Sequence, residues 1–424
     1  MRLWLIPMLY ICASVATGLI LPRIEQTYFA SYTLNLSVAS AQAYLSAAGS
    51  GMMALTGIVF AMAFVMVQFN AIAYSPRLVL WFARDRMLFH ALGAFAATFI
   101  YALFALAWVD RGGSGAVPLF SCLLVGIMLI VSMLLFSQLV QKLSDLQITR
   151  VLQMVGDRGR AVINSMFEEL EYKPIEKTKT SQKCSDTAQL GAITQTVRYS
   201  GEPRTITKFD TKALVLQAQQ ANALIVMTCA VGDTLVDDTQ LLQVHGATGQ
   251  ISKEALLRSV HLNRERTFEQ DPKYPIRLLV DIAIKALSAA INDPTTAVQT
   301  IDQIEDLLRR LGRCDLDAGY VADAYGDVRL IFPMPTWDDY LALAFDEIRQ
   351  YGASSVQVMR RLRSALVGLT EYLPSVERVG AVQRYLEHLD KIIAHSPLDA
   401  EDQLMARYED RQGLGLSRKR PSTR

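Results

Sequence analysis

Charged residues are scarce in the first third of this 424-residue chain. Of its 83 acidic and basic residues, only nine fall within residues 1–141, whereas the other 283 residues are charged at about one position in four. A segment so poor in charge is not solvated by water, so a protein that is soluble throughout is excluded. The composition predicts a membrane part followed by an aqueous part.

Several motifs with known chemistry are also missing. The sequence has no GxxxxGK phosphate loop, no HExxH or EF-hand metal motif, no GxSxG elbow and no GxGxxG after a predicted strand. The five cysteines form no CxxC pair and the five histidines are scattered, so we expect no metal centre and no cofactor. No catalytic residue is predicted, and an enzyme such as a membrane-associated hydrolase is the least favoured functional class.

The distribution of charge gives no sign of a nucleic-acid partner. Residues 1–141 carry a net charge of +3 and the remaining residues carry −2, so the aqueous part lacks the positive surface that binds phosphate backbones. Basic residues do cluster near the C-terminus, at Arg418, Lys419, Arg420 and Arg424. We expect this tail to be disordered and to contact anionic lipid.

Four apolar segments have the length needed to cross a bilayer, about 20 residues. They cover residues 3–21, 47–72, 87–108 and 117–139. Most basic residues that flank these segments lie on one side, which predicts that both termini are cytoplasmic. The first segment is alternatively a cleaved signal peptide, because Arg2 precedes an apolar run followed by small residues.

The second apolar segment carries a stripe of small and polar residues. At about 100° per residue its members share one narrow helical face. They are Ser46, Ser50, Ala54, Gly57, Ala61 and Gln68. One interpretation is close packing between helices; the other is that this face lines an aqueous pore at the centre of an oligomer. No charged residue lies inside the four segments, which disfavours a proton relay or a charge-coupled transporter.

The connection between the second and third segments combines a helix breaker with basic and aromatic residues. Pro76 lacks an amide donor, and Arg77, Trp81, Arg84 and Arg86 follow it. These residue types are typical of a membrane interface. The connection therefore either anchors lipid headgroups or couples the membrane part to the cytoplasmic domain.

The fold class follows from these patterns: a membrane α-helical N-terminal domain with four transmembrane helices, plus a cytoplasmic α+β domain that is mostly helical with a small β module. We predict that the last span continues as one helix to about Tyr172, and that strands cover 205–209, 223–230 and 328–332. The predicted divisions are a transmembrane domain at 1–141, a helix extension and linker at 142–204, the β module at 205–250, a helical α+β domain at 251–400 and the tail at 401–424.

Four acidic residues in the most patterned part of the aqueous half are candidates for a ligand or cation site. They are Glu269, Asp271, Asp281 and Asp293. Helix caps and salt bridges explain them more simply, since Asp293 precedes Pro294 as an N-cap precedes a first-turn proline, and Asp281 is spaced to pair with Lys285. Both interpretations stay open.

Four sequence blocks resemble a known family. The stretch from Ser46 to Arg86, RERTFEQDP at 264–272, DIAIKALSAAINDPTTAVQTID at 281–302 and AFDEIRQYG at 344–352 are similar to the bacterial predicted membrane proteins called domain of unknown function 2254. The resemblance covers nearly the whole chain and implies bacterial origin, an inner-membrane location, several N-terminal spans and a cytoplasmic C-terminal domain. It implies no function.

Two functional classes therefore lead. The first is a homo-oligomeric channel or pore of the inner membrane, in which the second span lines the pathway and the cytoplasmic domain assembles, gates or senses. The second is a non-conducting membrane-anchored scaffold or ligand sensor. The lipid bilayer and other copies of the chain are the expected partners, and the sequence does not identify the ion or ligand.

Overall fold

The structure is a computed structural model that describes residues 3–28, 37–73, 86–111, 117–144, 147–171, 191–316 and 319–414. The chain divides into two compact units, Met1–Arg150 and Val151–Arg424. Each unit has its own hydrophobic core and is described separately.

The first unit contains four long apolar helices. They are α1 (Leu5–Tyr28), α2 (Val38–Ala73), α3 (Arg86–Trp108) and α4 (Leu119–Ser144). Candidate spans within them cover Leu5–Tyr28, Val38–Val65, Arg86–Trp108 and Leu119–Gln141. The predicted number of four is confirmed, but α1 runs past the predicted end at 21 and α2 begins before the predicted start at 47, because the flanking polar residues continue the helices.

Helix α3 lies at the centre of this unit and packs against α1, α2 and α4. Glycines allow the closest approach to α1. A Cβ atom on Gly93 would lie 2.8 Å from the Tyr10 ring, and one on Gly18 would lie 2.8 Å from Phe104 Cβ. Since the contacts advance in the same direction along both helices, α1 and α3 are parallel.

Helix α5 (Ile148–Glu171) lies in the second unit from Val151 onwards and is followed by two mainly antiparallel sheets. The five-stranded sheet has the order β1-β5-β3-β8-β7, and the three-stranded sheet has the order β4-β2-β6. The strands are β1 (Ile193–Arg198), β2 (Arg204–Phe209), β3 (Leu224–Met227), β4 (Thr234–Leu235), β5 (Gln240–His245), β6 (Val260–Asn263), β7 (Tyr320–Ala322) and β8 (Val328–Ile331). β3 and β8 pair in parallel, so strands from both sides of the predicted boundary at 250 share one sheet.

The remaining helices make up most of this unit. Two accompany the strands, α6 (Thr211–Gln220) and α7 (Lys253–Arg258). The others are α8 (Lys273–Ala286), α9 (Pro294–Leu311), α10 (Trp337–Tyr351), α11 (Val356–Tyr372), α12 (Val376–Ala394) and α13 (Ala400–Ala406). The predicted fold class is confirmed: four apolar N-terminal helices precede a mostly helical region with small sheets.

Local sequence signals explain several helix ends. The Asp293 carboxylate accepts a hydrogen bond from the Thr296 amide and Pro294 is the first residue of α9, as predicted. Thr336 and Asp339 form a capping box at the start of α10. The prediction of one continuous helix from the last span to Tyr172 is wrong, because α4 ends at Ser144 and α5 begins at Ile148.

The predicted disordered tail is ordered over its first part. Asp399 caps α13, and a Cβ atom on Gly413 would lie 2.3 Å from Val298 Cγ1. Asp410 is buried there, so residues 401–414 pack on the unit rather than extending into solvent. The basic residues from Arg418 to Arg424 lie outside the described residues.

Candidate functional site

The stripe of α2 lies on the outer surface of the first unit. All six of its residues, Ser46, Ser50, Ala54, Gly57, Ala61 and Gln68, are exposed. The residues that α2 buries in the two cores of this unit lie on the nearly opposite helical face. They are Ala41, Leu45, Ala48, Met52 and Val59. In the single chain the six residues therefore share one face of α2, and that face is exposed.

The described part of the chain makes few contacts with the stripe. The Ser50 hydroxyl donates a hydrogen bond to the Ser46 carbonyl oxygen at 2.8 Å, within the same helix. A Cβ atom on Gly57 would have no neighbour within 4 Å. Gln68 lies in α2 three residues beyond the candidate span Val38–Val65. Among the described residues, no other helix of the chain packs closely on the stripe.

Large apolar side chains flank the stripe. Met53 and Phe60 are each 61% exposed and Phe64 is 65% exposed on one side, and Ile58 is 51% exposed on the other. Bulky apolar residues of this kind suit contact with lipid or with a neighbouring helix. The small, polar face thus lies between two apolar borders, which is the arrangement that a helix needs if it contacts lipid, protein and water on different faces.

The residues predicted for the membrane-interface connection are mostly outside the described ranges. Pro76, Arg77, Trp81 and Arg84 all lie within residues 74–85, outside the described residues. Arg86 is the first residue of α3 and is exposed. The predicted choice between lipid anchoring and coupling stays a prediction.

Sequence reasoning missed a buried acid in the membrane unit. Glu25 is 7% exposed, and its carboxylate accepts hydrogen bonds from the Phe120 amide at 2.7 Å, the Ser121 amide at 3.2 Å and the Ser121 hydroxyl at 3.1 Å. These donors lie in the first turn of α4, where a negative charge is stabilised by the helix dipole. Glu25 therefore caps α4 from a different helix.

The spacing of the buried residues in α1 indicates that Glu25 lies on the buried face of this helix. The buried residues of α1 are Ser14, Gly18, Pro22 and Glu25, at intervals of three or four. Because the predicted first span ended at residue 21, the glutamate was placed outside it and its position on the buried face was overlooked. A charged residue does lie inside a candidate span.

The four predicted acidic ligands do not converge in the described structure. Glu269 is exposed, Asp271 pairs with Arg266, Asp281 pairs with Arg277 at 2.5 Å, and Asp293 caps α9. Three of the carboxylates thus contact separate partners, and the fourth, Glu269, is exposed. Within the described residues, no group of three or more His, Cys, Asp or Glu side chains is placed to hold a metal ion.

Asp271 is the most unusual of these acids, because it is 2% exposed. Burial raises the pKa of its carboxyl group, although the Arg266 guanidinium beside it acts in the opposite direction. Asp271 Oδ2 lies 3.0 Å from Arg266 Nε. Gly232, at φ +92°, makes room for this pair, since a Cβ atom there would lie 2.1 Å from Arg266 Nη2 and 2.6 Å from Asp271 Oδ2.

Comparisons with known proteins agree with this architecture. The chain is 25% identical over 416 residues to the uncharacterized protein Rv1290c of Mycobacterium tuberculosis and to the uncharacterized protein Mb1321c of Mycobacterium bovis, which covers 95% of this chain and 78% of each relative. No solved structure matches the chain. The family profile described as "Predicted membrane protein (DUF2254)" matches residues 1–367. With its four candidate spans and this match over most of its length, the chain belongs to that family of predicted membrane proteins.

Proposed function

We propose that this protein is a homo-oligomeric channel or pore of the bacterial inner membrane, in which the stripe of α2 lines the pathway. The observation that carries the proposal is the exposure of all six stripe residues on a helix whose opposite face is buried. A face that combines serine, glycine, alanine and glutamine gains little from lipid. It gains more from water or from another helix at close range.

The proposed orientation places the N-terminus and the second unit in the cytoplasm. Basic residues favour the cytoplasmic side of a span, and Arg86 stands at the start of α3. The second unit follows the last span directly in the chain, through α5. In this proposal it assembles the oligomer and regulates the pathway.

Subunit number and conduction test the proposal together. The full chain is reconstituted in nanodiscs to determine particle symmetry, and in liposomes to measure potassium efflux. The proposal expects a closed cyclic assembly whose efflux rate changes in Gln68→Leu while assembly is retained. Gln138→Leu is the matched control, because Gln138 is also exposed, on α4. A monomeric particle, or efflux that Gln68→Leu and Gln138→Leu leave equally unchanged, contradicts the pore.

A non-conducting scaffold or ligand sensor is the second candidate. It is favoured by the buried Asp271, which pairs with Arg266 and lines a cavity of the second unit. In that case the stripe serves assembly alone. Oligomers that form through the stripe but release no potassium would support this candidate over the channel.

A further inference from the structure

The second unit contains a partly open cavity with mostly apolar walls. Its volume is about 60 Å³, which is room for roughly four to six water molecules at about 10–15 Å³ each. The walls include Met166 of α5, Val231 of the loop between β3 and β4, Val321 of β7, and Phe332 and Met334 after β8. The lining therefore suits a short apolar group.

Polar groups are confined to a few positions at the cavity, where α6 and α8 begin. Thr211 is the first residue of α6 and Lys273 is the first residue of α8. Asp271 also lines the cavity, and the Gln270 side chain is already hydrogen-bonded to the backbone of Phe209. This combination of apolar walls and a few polar groups is typical of a small-molecule site.

The charged side chains at and beside the cavity carry one excess positive charge. Asp271 and Lys273 are the charged residues of the described lining. The Asp271 carboxylate already pairs with Arg266 and accepts a hydrogen bond from the Lys273 amide at 3.1 Å. The charge of the half-buried Lys273 side chain acts on the same Asp271 carboxylate, so Arg266 and Lys273 together bring two positive charges to one negative charge. The site thus offers one positive charge to a ligand.

The available donors favour a ligand with a single negative charge. At the start of α8, the Lys273 and Tyr274 amides donate to Asp271, while Pro272 and Pro275 have no amide hydrogen. At the start of α6, the Ala213 amide donates to Asp210. A phosphate group is best bound by several charged donors or an arginine fork, whereas Lys273 is the one basic residue of the described lining. A carboxylate can be bound by one lysine.

We propose that this cavity binds a small monocarboxylate with a short apolar chain, with the carboxylate on Lys273 and the chain against Met166, Val231 and Phe332. This site is separate from the α2 stripe and does not depend on conduction. Because Met166 belongs to α5, the ligand contacts the helix that follows the last membrane span in the chain. Such a ligand is of the kind that a membrane-anchored sensor would bind.

Calorimetric titration of the full chain in nanodiscs tests the site, with hexanoate as the probe and empty nanodiscs as the blank. We expect saturable binding of one hexanoate per chain, with a Kd on the order of 1 mM or below. Hexylamine and hexan-1-ol have the same chain without the negative charge, so they should bind about tenfold more weakly or not at all. Equal heats for all three probes would show simple partitioning of the alkyl chain and would overturn the proposal.

Substitutions assign the binding to the cavity. Lys273→Met should weaken hexanoate binding by about tenfold, and Lys273→Arg should retain it. Lys253→Met is the matched control, because Lys253 is likewise the first residue of a helix, α7, but is exposed and outside the cavity. Val231→Phe, which fills the cavity, should abolish binding, and its unfolding midpoint is measured alongside to show that the chain is folded. No saturable hexanoate binding, or equal losses in Lys273→Met and Lys253→Met, would overturn the assignment.

Discussion

The Glu25 carboxylate accepts a hydrogen bond of 2.7 Å from the Phe120 amide, so the end of the first membrane helix caps the start of the fourth. The two residues are far apart in the chain, and both lie in the first unit. The contact gives two first-turn amides of α4 an acceptor, and the helix dipole stabilises the buried Glu25 carboxylate.

Removing this cap should destabilise the membrane unit. We expect Glu25→Ala to lower the free energy of unfolding by about 1–3 kcal/mol, because the Phe120 amide and the buried Ser121 lose the Glu25 carboxylate as their acceptor. Glu25→Gln should cost less, since an amide oxygen can still accept one hydrogen bond. Thermal unfolding in detergent measures the effect. Thr27→Val is the control, as the exposed Thr27 hydroxyl donates to the Arg23 carbonyl oxygen of its own helix; equal midpoints for Glu25→Ala and Thr27→Val would refute the capping role.

The packing of α5 on α8 and α9 should be sensitive to one methyl group. A Cβ atom on Gly159 would lie 2.8 Å from Leu307 Cδ2 and 3.1 Å from Pro275 Cβ. Gly159→Ala should therefore destabilise the second unit by about 1–3 kcal/mol through overpacking, as measured by chemical unfolding of the full chain.

Gly380→Ala provides the comparison for Gly159→Ala. Gly380 lies inside α12, and a Cβ atom there would have no neighbour within 4 Å. The higher helix propensity of alanine should make this variant more stable, by up to about 1 kcal/mol. If both variants change stability in the same direction, the close approach of α5 is not the cause.

The hairpin of β7 and β8 should give part of the stability a defined pH dependence. A hydrogen bond from Arg329 holds the pKa of Asp323 below its usual value of 3.8; burial opposes this, and the Tyr325 and Asp327 amides assist it. Since the folded pKa is lowered, the stabilisation is present above about pH 3.8 and is lost as the pH falls through the folded pKa.

Comparing the wild type with Asp323→Asn isolates this contribution. The wild type should unfold at the higher temperature at neutral pH, and the difference between the two proteins should shrink below about pH 3.8. Thermal midpoints over this pH range provide the test. A difference that grows as the medium becomes acidic would mean that the sign of the pKa shift is wrong.

Assembly should depend on Gly57 but not on Gly51. Both glycines are exposed on α2, and a Cβ atom on either would have no neighbour within 4 Å in the single chain. Only Gly57 lies on the stripe. If the stripe serves assembly, as in the scaffold candidate, Gly57→Val should lower the subunit number measured by light scattering, and Gly51→Val should not. Identical subunit numbers for both variants would remove the stripe from the interface.

Local sequence signals account for the features that were predicted correctly. Four long apolar segments with few charges indicate the four spans. The N-cap Asp293 and the first-turn proline Pro294 mark the start of α9. Contacts between distant segments were not predictable in this way. The spacing of α1 places Glu25 on a buried face, but nothing near it in sequence names Phe120 as its partner.

The cavity of the second unit could not be predicted from the sequence either. The sequence marked Asp271 as one of four candidate acidic residues. It gave no reason to select its partner Arg266 or the neighbouring Lys273. The cavity exists because the parallel pairing of β3 and β8 brings the loop with Val231 close to Phe332. Pairing between strands so far apart in the chain is set by the whole fold rather than by local pattern.

The most direct test of the central claim is the water accessibility of single cysteines placed along α2, in a chain whose five native cysteines are replaced. A charged, membrane-impermeant thiol reagent reacts only where water reaches the thiolate. Reaction at positions 46, 50, 54, 57, 61 and 68, with protection at Met53 and Phe60 on the apolar border and at Met52 and Val59 on the buried face, is the result that the pore predicts. Uniform protection of the six stripe positions, or equal reaction at Met53 and Phe60, would contradict it.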